Sequence, residues 1–151
     1  MGLRDEIGEA LKQAMKAKEM ARVSTLRMVN AALKDRDIAL RGEGKPAMTE
    51  ADITAVLSRM VKQRQESVRA YEDGGRMELA DKERAEIAVI EAFLPRQLSS
   101  AEVEAAVAAA IAETGAESLR DMGRVMAELK ARYTGQMDFG AVGPMVKARL
   151  G

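Results

Sequence analysis

Six consecutive polar residues, Lys62-Gln63-Arg64-Gln65-Glu66-Ser67, interrupt a stretch whose apolar residues otherwise recur like the buried stripe of a helix. Continuing Ile53, Leu57 and Met60 by threes and fours arrives at Arg64, Ser67 and Tyr71. A guanidinium drawn inward needs a carboxylate or phosphate partner, because burial strips it of water. Two arrangements satisfy that need. One is an internal ion pair with a glutamate such as Glu83 or Glu86; the other is a polar interaction surface formed by Lys62, Gln63, Arg64, Glu66 and Ser67.

A second set is electrostatic. Arg27, Lys34 and Arg41 recur every seven residues, so on a helix they form nearly one line extending ~21 Å along the axis. Lys12, Lys16 and Lys18 add charge nearby, and residues 1–45 hold ten basic against seven acidic groups. Such a ridge can follow an A-form RNA backbone through phosphate and 2′-hydroxyl contacts. The alternative is a solvated face balanced by Asp35 and Asp37.

Other chemistries are excluded by residue type. The 151 residues contain no cysteine and no histidine, which removes thiolate nucleophiles, Ser-His and Cys-His pairs, disulfides and ordinary zinc sites. Gly42-Glu43-Gly44-Lys45-Pro46 is not a phosphate loop, because that pattern needs glycine where Ala39 stands and serine or threonine where Pro46 stands. Ser99-Ser100 has no neighbouring lysine to act as base, and these serines read as helix caps. Glu83 with Glu86, and Glu102 with Glu104, read as acids on solvated faces. No catalytic residue, metal ligand set or cofactor site is assigned. The four aromatic residues, Tyr71, Phe93, Tyr133 and Phe139, are not spaced as a base-stacking platform. With 24 basic and 24 acidic residues, and balance on both sides of Pro95, neither half is a basic arm.

The elements that must carry these residues are all helical. Leu3, Ile7, Leu11 and Met15 define an inward stripe on a first helix; Val23, Leu26, Val29 and Leu33 define one on a second, after a break near Lys18 to Ala21. Arg41 to Pro46 is a loop, and Thr49 with Asp52 caps a third helix running from about Glu50 to Asp73, stopped by Gly74-Gly75. Met77, Leu79, Ala80, Ile87, Ile90 and Phe93 or Leu94 continue the apolar spacing into a fourth helix that ends before Pro95. Ser99 with Glu102 caps a fifth helix, Ala101 to Glu113, closed by Gly115. Ser118 caps a sixth with Leu119, Met122, Val125, Met126, Leu129 and Tyr133 inward, and Asp138 a seventh reaching Leu150. Gly123, inside the sixth, is expected to serve close backbone packing, with approach by a partner as the alternative. The expected organisation is an N-terminal bundle of about four helices over residues 1–95 and a small three-helix unit over 96–151. The acidic, amphipathic start does not read as a secretory signal, and no stretch is apolar enough for a membrane span, so a cytoplasmic protein without membrane partners is expected.

Several segments together carry a family resemblance: Leu26-Arg27-Met28 with Ala32 and Lys34; Lys62-Gln63-Arg64 with Glu66-Ser67; Phe93-Leu94-Pro95-Arg96-Gln97-Leu98-Ser99; Asp121-Met122-Gly123-Arg124-Val125-Met126; and Gly135 with Asp138. Over essentially the whole chain it resembles the YqeY-like proteins, stand-alone relatives of the C-terminal tail region of the B subunit of the tRNA-dependent amidotransferase. The resemblance implies an all-α fold and a tRNA-contacting role around Asp121, Gly123 and Arg124. It also implies tRNA as partner, with an amidotransferase or an aminoacyl-tRNA synthetase as a further partner. Carbon–nitrogen ligase activity with glutamine as amide donor would then be exerted only with partner subunits, since no nucleotide-binding or glutaminase apparatus is visible here. The alternative is a protein-interaction module that does not bind RNA.

Overall fold

A computed structural model of the chain describes residues 2–151. Its elements are α1 (Leu3–Lys16), α2 (Met20–Gly42), α3 (Glu50–Asp73), α4 (Met77–Glu91), α5 (Ser100–Thr114), a 3-10 turn (Leu119–Asp121), α6 (Met122–Tyr133) and α7 (Phe139–Leu150). No strand occurs among the described residues, and the fold is all α. None of its helices is long and apolar enough to cross a membrane. The helices pack as two units that divide between Leu94 and Pro95.

In the first unit, α3 and α4 form a hairpin around Gly74-Gly75, and α2 packs against α1, α3 and α4. The core is aliphatic, built on Ile7, Leu26, Val29, Leu33, Leu57 and Ile90. Local chemistry sets the boundaries. Lys18 takes a left-handed conformation (φ 58°) that breaks α1 from α2. The Thr49 hydroxyl accepts from the Asp52 amide at 3.2 Å, while the Asp52 carboxylate accepts from the Thr49 amide at 2.9 Å, satisfying two amides that the helix itself leaves unpaired. The start of α1 is tied to α3, because the Leu3 amide donates to the Glu50 carboxylate at 3.2 Å.

The second unit packs α5, α6 and α7 around Val107, Val125, Leu129, Val142 and Val146. Ser99 and Glu102 form the reciprocal cap of α5, and Arg96 grips the Glu102 carboxylate with two bonds of 2.9 and 2.8 Å. That guanidinium, with the Ser99 bonds, holds the Glu102 carboxyl down at about 2. The segment before α5 is fastened to the loop after α6: the Leu98 amide donates to the Gln136 carbonyl at 2.9 Å, and the Gln97 side chain donates to the Gly135 carbonyl. Helix α7 continues through Pro144. The residue before a proline normally leaves the helical region because its Cβ meets the ring, and here that residue is Gly143, which has none.

Four expectations about which residues face inward or outward in the two units are corrected. Met15 is 50% exposed and Ala14 is buried in its place. Steps of four residues overshoot a 3.6-residue turn by about 40° each, so the stripe set by Ile7 passes to Ala14, seven residues on. Met77 and Leu79 are exposed, and Ala80 is the buried residue in the first turn of α4. Leu119 is exposed because it lies in the 3-10 turn, out of register with α6. Glu83 and Glu86 are half-buried against α3 and do not lie on a solvated face.

Candidate functional site

Helix α3 splits its polar run between two surroundings. Lys62, Gln63, Gln65 and Glu66 are exposed, whereas Arg64 and Ser67 turn inward. The Ser67 hydroxyl donates to the carbonyl of Gln63 in its own helix at 3.2 Å. Arg64 donates from Nε to Glu86 Oε2 at 3.1 Å and from Nη1 to the Met60 carbonyl at 3.2 Å. Its Nη2 lies 3.7 Å from Met28 Sδ on α2. With side chains only 13% and 14% exposed, Arg64 and Glu86 hold α3 to α4 as a half-buried pair. Glu83 stands one turn earlier on α4. Burial, then the neighbouring Glu86 charge, pushes its carboxyl above the usual carboxylate range against the opposing pull of Arg64.

The cation row lies where its spacing places it, on the outward side of α2. Arg27, Lys34 and Arg41 are all exposed. Arg41 pairs with Asp37 at 3.3 Å, and Arg4 approaches the same carboxylate at 3.8 Å. Neither Arg27 nor Lys34 has an ion-pair partner among the described residues. The row shares its face with apolar side chains that sequence reasoning passed over: Met20 is 67% and Ile38 59% exposed. The signal was present, since at 100° per residue Met20, Ala31 and Ile38 fall within about 20° of one another.

The start of α6 brings together Asp121, Gly123 and Arg124. The Asp121 carboxylate accepts from the Glu117 amide at 2.9 Å and the Ser118 amide at 3.3 Å, and Arg124 Nη2 donates to it at 2.7 Å. These bonds, the Glu117 amide first and Arg124 next, hold the Asp121 carboxyl below its ordinary range. Asp121 thus closes the 3-10 turn and orients Arg124, whose guanidinium stays largely in solvent. Gly123 is exposed, its φ is not positive, and a Cβ built there meets nothing within 4 Å. The expected close packing of Gly123 inside the chain is therefore overturned. Ala127 and Lys130, within about 40° of Gly123 around α6, are also exposed, as is Arg120 in the turn before it.

Comparison with known proteins matches this chain to an uncharacterized protein of Schizosaccharomyces pombe, 29% identical over 94 residues. It also matches the altered inheritance of mitochondria protein 41, mitochondrial, of Saccharomyces cerevisiae, 28% identical over 94 residues. The matched stretch is 62% of this chain, 73% of the first relative and 49% of the second, about half of the mitochondrial protein's length. The model of the Yqey-like protein family matches residues 4–150. Matched over nearly its whole length, the chain belongs to the YqeY-like family.

Proposed function

We propose that this protein is a non-catalytic accessory module that associates with folded tRNA, presenting the start of α6 to the RNA backbone. The observation that carries the reading is Gly123. A glycine within a helix costs 0.5 to ~1 kcal/mol relative to alanine through backbone entropy. Here neither backbone conformation nor packing within the chain requires it. The open backbone at this point of the first turn of α6 gives a partner room to come close. Around it Arg120, Arg124 and Lys130 offer guanidinium and ammonium donors for phosphate oxygens, with Ala127 leaving the surface smooth. Asp121, an anion, serves this surface by holding Arg124 and not by touching phosphate. The resemblance to the tRNA-contacting amidotransferase tail gives the nature of the partner. The zero net charge fits a specific, shape-read surface better than broad affinity for polyanions.

Substitution of Gly123 tests the reading. Gly123→Ala is expected to leave the fold intact, raise stability by ~0.5 kcal/mol and weaken tRNA binding, with Gly123→Gln weakening it further. Equal tRNA affinity in all three proteins would remove this surface from the account. The α2 row offers phosphate chemistry too, but its apolar neighbours favour a different ligand.

A further inference from the structure

The outward face of α2 has the relief of a helix-docking surface. A shallow groove of about 350 Å³ is lined by Met20, Val23, Ser24, Arg27, Met28 and Ala31. These six positions form two successive diamonds, 20, 23, 24, 27 and 24, 27, 28, 31, each with the i, i+3, i+4, i+7 spacing of the hole that receives a side chain from a packed helix. The short side chains Ser24 and Ala31, seven residues apart, leave the space, and the longer Met20, Arg27 and Met28 form its walls. Ile38, another seven residues along, continues the seam as an exposed apolar residue. The core side of the same helix takes Leu26, Val29 and Leu33, with Val23 and Met28 at the groove's edges also packed inward, and leaves Met20, Ser24, Arg27, Ala31 and Ile38 exposed as a second face.

We infer that this face of α2 seats an amphipathic helix of a protein partner that carries glutamate or aspartate along one edge of its apolar seam. Charge selects the occupant. Arg27 and Lys34 border the groove on one flank, lacking ion-pair partners among the described residues, while Asp35 lies on the other. A partner with acids on one edge pairs with that flank and leaves Asp35 to solvent or to a cation. A second copy docked antiparallel about a two-fold axis would bring the same cationic flank face to face. RNA would meet the cations but would also cover Met20, Ile38 and the hole at Ala31, with no aromatic ring on the face to stack a base. The inference stands independently of the RNA-facing reading of α6, because it uses other residues in the other unit.

The probe is a synthetic amphipathic helix of about three heptads, leucines at three-and-four spacing with glutamates along one flank, beside a version with lysines replacing the glutamates. Binding to the full chain is followed by peptide fluorescence anisotropy, and thermal unfolding reports the fold of each variant. The glutamate peptide is expected to bind at least roughly tenfold more tightly than the lysine peptide. Ala31→Glu, which fills the hole with a charge at an exposed position, should abolish binding. Arg27→Glu combined with Lys34→Glu should reverse the preference between the peptides. Equal affinities for the two peptides would overturn the inference, as would binding that survives Ala31→Glu. So would tRNA binding that is lost in the double charge variant while peptide affinity is untouched, or a dimer of the chain that Ala31→Glu dissolves.

Discussion

At the scale of single residues, Arg64 has the most demanding surroundings. It is charged, largely removed from water, and held by one carboxylate, one carbonyl and a thioether from three directions. Truncation leaves Glu86 half-buried without its cation, so Arg64→Ala is expected to cost about 3 kcal/mol in chemical denaturation. Glu83 gives the opposite sign. Its raised carboxyl pKa means the folded chain holds that proton more tightly than the unfolded chain does. The stability this provides is complete below the ordinary value of 4.5 and is lost as pH rises through the raised folded value. Glu83→Gln is therefore expected to exceed the parent in stability at pH 7, with the advantage vanishing at pH 4. An advantage undiminished at pH 4 would contradict the assignment. The need for a glutamate partner was legible in the sequence, because Arg64 continues an apolar stripe. The contact with Met28 was not, since 36 residues separate the two and only tertiary packing joins them.

At the scale of elements, helix edges were readable because they rest on local bonds: Thr49 with Asp52, Ser99 with Glu102, Gly115 at φ 66°. Faces were less readable where few apolar residues define them. The stripe on α1 slid from Met15 to Ala14 once the true period accumulated along the helix, and Leu119 dropped out when the 3-10 turn changed the register ahead of α6. A pair of charge insertions tests the corrected face. Met15→Lys is expected to change stability by no more than ~0.5 kcal/mol, whereas Ala14→Lys places an ammonium in the core and should cost at least ~2 kcal/mol by thermal unfolding. The same periodicity explains α2. Its inward stripe was evident, but the outward coincidence of Met20, Ala31 and Ile38 was masked by the cations between them.

At the scale of the whole molecule, the all-helical character followed from three-to-four spacing throughout and from the family resemblance, which agree with the structure and with the match over residues 4–150. The candidate sites were less legible. The residues at Asp121, Gly123 and Arg124 came from the resemblance, and only the geometry distinguishes them: a turn-closing acid, an open backbone and a largely exposed guanidinium paired with that acid. The central claim is association with folded tRNA by shape and phosphate contacts. Titration of the purified chain with folded tRNA at two salt concentrations, against a DNA duplex of similar charge, tests it most directly. Micromolar or tighter binding that prefers tRNA and weakens with salt is expected; no binding, or none beyond the duplex, would rule that association out.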